Sequence, residues 1–223
     1  MSSRPRPKQA LFEQFASIAK VLGHAHRLEL LEQLGQGERS VEILARKTGL
    51  SIANASQHLQ QLLRAGLVAT RRDGKFVVYR LADDTVLKLL AALGSIAERN
   101  LAEVQQVMGR YFHDRDSLEP ISRQELRKRL RAGTVTVLDV RPEDEFALGH
   151  LPNAVNIPLK ALEARLSELD PSQEIVAYCR GPYCVWSYEA VVALRRRGFN
   201  VRRLEDGLPE WRAAGLPVVV GGG

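Results

Sequence analysis

A chain of 223 residues with 45% hydrophobic content can bury a core in one large domain or two ordinary ones, which excludes a wholly disordered protein. Its net charge of +6 lies entirely in residues 1–110, where 16 Lys and Arg face 10 Asp and Glu, whereas residues 111–223 hold 16 of each. That asymmetry points to a polyanionic partner for the first half, with solvated Arg on helix faces as the alternative. No stretch has the apolar length a bilayer requires, and MSSRPRPKQA runs into the amphipathic LFEQFASIAKVL rather than an export signal, so no membrane partner is expected and the cytoplasm is the expected location. In a reducing compartment the two cysteines are not expected to be a structural staple.

Up to about residue 110 the periodicity is helical. FEQFASIAKVL and HRLELLEQL repeat apolar residues at three- and four-residue spacing, and SVEILARKTGL opens on Ser40 and stops near Gly49. Ser51 begins SIANASQHLQQLLRAGLV, with Ile52, Ala55, Leu59, Leu62 and Leu63 on one face and Asn54, Ser56, Gln57 and Gln61 pointing outward. LVATRRDGKFVVYRL predicts a β-hairpin turning at Asp73-Gly74 and carrying Arg71, Arg72 and Lys75 at its tip. A long helix is predicted from Thr85 to Met108, with Val86, Leu89, Leu90, Leu93, Ile96, Ala97, Leu101 and Val104 as an apolar stripe. Short helix, second helix rich in small polar residues and basic hairpin together describe a winged helix-turn-helix. The candidate DNA contacts are Ser51, Asn54, Ser56, Gln57, His58 and Gln61 on the helix that reads a major groove, and Arg71, Arg72 and Lys75 on the wing that holds phosphates.

HAHRLELLEQL, LARKTGLSIANASQHLQQLLRAGLV and RRDGKFVVYRL make residues 10–105 resemble the ArsR family of winged-helix repressors. The resemblance implies a homodimer on a double-stranded DNA operator, paired through the 85–108 helix; simple core packing is the other reading of that stripe. Metal-sensing members carry cysteine pairs or His and acidic ligands, whereas residues 1–110 contain no cysteine. His24, His26 and His58 look too isolated for a zinc site, so no metal or cofactor is expected, and His24 and His26 read as capping or core residues.

YFHDRDSLEP, ending in a proline, reads as a linker at 111–119 between a DNA-binding and dimerisation domain at 8–110 and a second domain at 120–220. After the short helix ISRQELRKRLRAG, strands TVTVLDV, AVNIP, EIVAYC and NVRRLE alternate with helical EDEFALG, LKALEARLSEL, SYEAVVALRRRG and LPEWRAAG. The expected fold is therefore multidomain: a helix-rich winged helix-turn-helix followed by an α/β domain with a parallel sheet. Ligands in such a domain bind beyond the carboxyl ends of the strands.

Cys179 falls at such a strand end, ahead of a loop and a helix. Loop amides and the helix dipole would lower the pKa of a thiol in the loop and make Cys179 a nucleophile, with Arg180 adding positive charge. LDVRPEDEFALGHLPNAVNIP, VAYCRGPYC, RRRGFNVRRLEDG and GLPEWRAAGLPV make residues 118–220 resemble a rhodanese domain, with Asp139, Arg141, Glu145 and His150 in its first signature and Trp211, Gly215 and Pro217 in its last. The resemblance implies that Cys179 holds a sulfane sulfur as a persulfide, in an anion-binding loop that includes Arg180, Gly181, Tyr183, Val185 and Trp186.

The loop measures about two residues longer than in single-domain rhodaneses. The position six after Cys179 is Val185 rather than the arginine of Cys-x5-Arg phosphatases, which disfavours phosphatase chemistry and leaves thiosulfate turnover open. Cys184 has three readings: a small buried hydrophobe, a resolving thiol, or, weakest, a metal ligand. Asp139 and Arg141 read as an ion pair supporting the loop rather than as substrate contacts, His150 as the organiser of a turn rather than a base, and Trp211 as core. Two functions fit. In one, a transcriptional repressor senses reactive sulfur, or another thiol-modifying species, on Cys179; in the other, a sulfurtransferase carries an accessory DNA-binding domain.

Overall fold

A computed structural model describes residues 6–111 and 119–221. The sequence-predicted linker therefore lies, but for its two ends, outside the described residues. Contacts divide the chain into two compact units, Met1–Val86 and Leu87–Gly223.

In the first unit, α1 (Pro7–Leu22) precedes α2 (Ala25–Gly35), β1 (Arg39–Ser40), α3 (Val41–Thr48), α4 (Ile52–Arg64) and the hairpin β2 (Val68–Asp73) and β3 (Phe76–Leu81). α3 stops because Gly49 takes the left-handed conformation at φ 69° and turns the chain toward α4. α4 starts where Ser51 Oγ accepts the N–H of Asn54, at 3.2 Å. Its buried face is Ala55, Leu59 and Leu62, packed with a core that includes Leu30, Leu31, Leu34 and Leu44. Ile52, predicted to face inward, is exposed, because at the first position of the helix it precedes the turn that reaches the core.

β1, β3 and β2 form an antiparallel sheet in that order. The hairpin turn falls one residue later than predicted: Asp73 pairs with Phe76, so Gly74-Lys75 makes the two-residue loop, with Gly74 at φ 58°. Arg71 and Arg72 consequently lie on strand β2, and only Lys75 is in the turn.

The single helix predicted over 85–108 is two helices, α5 (Thr85–Asn100) and α6 (Ala102–Tyr111), separated at Leu101. The Asn100 side chain donates to the carbonyl of Ile96 at 2.8 Å, a local bond of the kind that competes with helical hydrogen bonding.

The rest of the second unit comprises α7 (Arg123–Ala132), β4 (Val135–Asp139), α8 (Glu143–Phe146), β5 (Ala154–Asn156), β6 (Glu174–Tyr178), α9 (Val185–Arg196), β7 (Val201–Arg203) and α10 (Leu208–Ala213). The strands form one parallel sheet in the order β5-β4-β6-β7. LKALEARLSEL, predicted as one helix, is two 3-10 segments, Leu159–Ala164 and Leu166–Glu168, because Arg165 between them leaves helical geometry at φ −116°.

The two faces of the sheet have separate cores. Ile175, Ala177 and Cys179 join Val191 and Leu194 of α9 on one side; Val176 and Tyr178 join Leu126, Leu208 and Trp211 on the other. The period-two alternation of β6 thus continues one residue past the strand and places the Cys179 side chain on the face that α9 covers.

Candidate functional site: a two-thiol loop and a winged-helix face

The loop 179–184 joins β6 to α9 above the carboxyl end of the sheet. Its floor is a polar network of buried groups. Asp139 accepts from Arg141 Nε at 3.0 Å and Nη2 at 2.5 Å and from the Tyr178 hydroxyl at 2.5 Å. Arg141 Nη2 also donates to the carbonyl of Gly149 at 2.8 Å, and the Tyr178 oxygen accepts the N–H of Leu151 at 3.1 Å. Burial, followed by the neighbouring Asp139 carboxylate, holds the Tyr178 phenol protonated. His150 lies stacked on Phe146, with Nδ1 3.0 Å from that residue's carbonyl oxygen, and its backbone pairs with Val219. Asp139 and Arg141 therefore bond to each other, to Tyr178 and to backbone, and His150 to the carbonyl of Phe146 and the backbone of Val219.

Arg180 does not extend toward solvent as an unpaired cation. It grips Glu145 with two charge-assisted hydrogen bonds, 2.9 and 2.6 Å, and its guanidinium lies 4.2 Å above the Trp186 ring. The positive charge predicted for the loop is largely answered by Glu145, which the sequence reading placed only as a signature residue. Gly207, at the start of α10, comes so close to the Arg180–Gly181 backbone that any side chain there would collide with it.

The thiols occupy opposite environments. Cys179 is 1% exposed, with its sulfur 3.3 Å from Ser187 Oγ and 3.6 Å from the carbonyl oxygen of Cys184. Burial pushes its pKa well above the ordinary thiol value, and proton donation to Cys184 adds to that. Cys184 is half-buried at the N-cap of α9, and its pKa is lowered to about 7. The hydrogen bond from Cys179 is the largest cause; burial opposes it, and the backbone N–H groups of Arg180 and Trp186 and the Arg180 charge assist it.

The expectation of a lowered pKa at Cys179 is thus corrected. Cys179 points down into the α9 core, where burial raises its pKa, and the lowered value falls instead on Cys184 at the helix N-cap, chiefly through the hydrogen bond from Cys179. Ser187, which the sequence reading did not single out, contacts the Cys179 sulfur; it stands three residues past the cysteine that caps α9, the spacing at which a first-turn side chain reaches back over the cap. Tyr183 and Val185 are exposed on the outer side of the loop, and the Tyr183 ring lies against Gly94 of α5 within the same unit.

On the winged helix, Asn54 and Gln57 are exposed along α4 and Ser56 is half-buried. Gln61, predicted to face outward, instead accepts from the buried Arg27 at 2.6 Å. Ser51 acts as the cap of α4. His24, His26 and His58 are not isolated: their ring centroids lie 4.5–5.7 Å apart, with His58 Nδ1 buried and without a hydrogen-bond partner among the described residues. His24 Nδ1 accepts the N–H of His26 at 3.2 Å and caps α2. No group of three or more His, Cys, Asp or Glu among the described residues is placed to hold a metal ion. On the wing, Arg71 is paired with Glu38 and Asp73, Arg72 is exposed, and Lys75 lies 5.4 Å over the Phe76 ring.

Among the described residues no helix is long and apolar enough to cross a membrane. Residues 22–71 match a helix-turn-helix domain family, and residues 122–214 match the rhodanese-like domain family. The chain is 44% identical over 218 residues to an HTH-type transcriptional regulator of Mycobacterium tuberculosis, covering 98% of this chain and 96% of that one. It is 34% identical over 86 residues to a sulfurtransferase of Allochromatium vinosum, covering 38% of this chain and 78% of that one. A solved homodimeric winged helix-turn-helix DNA-binding domain from Mycobacterium bovis, described as a possible ArsR-family transcriptional regulator, is 39% identical and covers 46% of this chain and 95% of its own, with a TM-score of 0.42. The chain belongs to the ArsR-type HTH transcriptional regulators and carries a C-terminal rhodanese-like domain.

Proposed function

We propose that this regulator is a cytoplasmic, homodimeric repressor that binds a double-stranded DNA operator and is switched by sulfane sulfur, or a chemically similar thiol-modifying species, at Cys179 and Cys184. The observation that carries the reading is the placement of both cysteines of the chain in one loop, with an acidified thiol beside a buried one. In a rhodanese-like fold that loop is the place where sulfur chemistry occurs.

Asn54, Ser56 and Gln57 offer donors and acceptors to base edges, and Arg72 and Lys75 offer charge to phosphates. The apolar rows Leu11, Phe12, Phe15 and Ile18 on α1 and Leu89, Leu93 and Ile96 on α5 are exposed in the single chain. A second copy is the partner proposed for them, since burying each such side chain contributes about 1.5–3 kcal/mol. The Tyr183–Gly94 contact supports α5 as the route by which a change in the thiol loop reaches the dimer seam. A coupling of about 1–3 kcal/mol, or roughly 5- to 150-fold in operator affinity, is the usual scale for such a switch.

The similarity to a sulfurtransferase favours a second reading, catalytic turnover. The deep burial of Cys179 favours stoichiometric modification instead. Incubating the full chain with thiosulfate and cyanide separates the two: sustained thiocyanate release supports the enzyme, and a single labelling per chain without turnover supports the sensor.

A further inference from the structure

The α5 helix has two differently built faces. Leu89, Leu93 and Ile96 form an exposed row, whereas Leu90, Gly94 and Ala97 form a half-buried one. Glycine in the middle of a 16-residue helix is disfavoured against alanine by its backbone freedom, so the bare surface at Gly94 calls for a neighbour that needs it. That neighbour is Tyr183 of the thiol loop: a Cβ at Gly94 would stand 2.5 Å from the Tyr183 hydroxyl oxygen and 3.4 Å from two carbons of its ring. Further along the chain, Met108 of α6 packs against the core cluster that holds Cys179, so the α5–α6 pair touches the α/β domain at two points.

Inside the loop, the Cys179 sulfur has little room. It is 3.3 Å from Ser187 Oγ, 3.6 Å from the carbonyl oxygen of Cys184 and 4.0 Å from that of Gly181. Tyr183 lies between those two carbonyl-bearing residues in the chain, so an atom added to the sulfur pushes on the segment that carries the ring.

We infer that Tyr183, seated in the notch at Gly94, is the positioning residue that carries the state of the thiol loop to α5. This rests on the proposed role of the loop as the effector site. When a low-molecular-weight persulfide R–S–SH gives its outer sulfur to Cys179, the Cys179 S–S bond forms, the donor S–S bond breaks, and RS⁻ leaves and takes up the proton that Cys179 loses. The added sulfur displaces the Cys184 and Gly181 carbonyls, the loop opens, and the Tyr183 ring leaves its seat.

Two variants reproduce and then repair that displacement by sterics alone. In G94A the new methyl group collides with the Tyr183 hydroxyl and unseats the ring without any sulfur, while alanine keeps the helix intact. In G94A/Y183F the hydroxyl is gone, and the 3.4 Å approach to the ring carbons is ordinary packing.

The test is the operator affinity of the full chain, reduced and after glutathione persulfide, with mass spectrometry following modification of Cys179. Wild type should change by at least about fivefold, G94A by less than about twofold although its Cys179 is still modified, and G94A/Y183F by as much as wild type. The affinity of reduced G94A should already equal that of treated wild type. A G94A protein that responds like wild type, or a G94A/Y183F protein as unresponsive as G94A, would overturn the inference.

Fluorine NMR of protein containing 3-fluorotyrosine reads the seat independently of DNA. The Tyr183 signal, assigned by its loss in Y183F, should move in G94A, and a signal that stays in place overturns the seat. The proposed function fails separately: wild type with Cys179 modified and affinity unchanged contradicts regulation by the loop and any transmission through Tyr183, whereas a full response in G94A contradicts only this inference.

Discussion

Arg180 and Glu145 form a bidentate pair, with hydrogen bonds of 2.9 and 2.6 Å, that fastens the thiol loop to α8 while the Glu145 side chain is wholly buried. The same guanidinium rests on Trp186, and its charge adds a smaller contribution to the lowered pKa of Cys184 than the hydrogen bond from Cys179 does.

Replacing Glu145 with Gln is expected to cost stability, about 1–3 kcal/mol, because the buried Arg180 contacts lose their charged acceptor while some bonding capacity is kept. Thermal unfolding of the full chain reads this. An unchanged midpoint would mean that the pair contributes nothing to the loop.

The rate of Cys184 alkylation should rise with pH around a midpoint near 7, since the thiolate is the reacting form. In C179A the largest cause of the lowered value is gone, so the midpoint should move upward toward the ordinary thiol range. A midpoint that stays in place would assign the acidity to the amides and Arg180 alone.

On the wing, Arg72 and Lys75 are expected to contact phosphates, and neutralising either should reduce the slope of log affinity against log salt by about 1. Arg71 begins from a pairing with Glu38 that any phosphate must displace. Glu38→Gln should therefore strengthen binding to all DNA sequences and steepen the salt dependence, whereas changes at Asn54 or Gln57 should alter sequence preference. Anisotropy titrations at several salt concentrations distinguish these outcomes.

Burial, and then the neighbouring His24, Arg27 and His26, hold the His58 pKa below the ordinary imidazole value. The unfolded chain consequently binds this proton more readily than the folded one. The contribution of His58 to stability is full above its unfolded pKa and declines as pH falls through that value toward the folded one. His58→Gln should flatten the acid-side loss of stability of the first unit, measured by denaturant unfolding between about pH 7 and 5. An identical pH profile in the variant would remove His58 from the account.

Local signals were legible in the sequence where the cause is local. Ser51 caps α4 and left-handed Gly49 ends α3, as the residue types require. The alternating strands and helices gave the parallel sheet, because strand and helix periods differ and each leaves its mark within a few residues.

What escaped depends on distance or on one-residue registers. Gln61 has the right phase for the outer face of α4, but Arg27, 34 residues away, claims its oxygen. The Asp73-Gly74 signal identified the hairpin yet placed the turn one residue early, because Asp73 still pairs across to Phe76. The environment of Cys179 was within reach: extending the Ile175–Ala177 alternation by one step puts its side chain under α9. The half-buried position of Cys184 at the N-cap of α9 required the folded path of the chain.

On the proposed function, sulfur chemistry in the 179–184 loop changes how the winged helices hold DNA. The most direct measurement is the affinity of one preparation of full-length protein for the same operator fragment when reduced, after glutathione persulfide treatment, and after subsequent dithiothreitol, with a C179S/C184S double variant alongside. A reversible change of at least about fivefold is expected in wild type, and none in the double variant. Equal affinities in all three wild-type states, or the same response from the double variant, would contradict it.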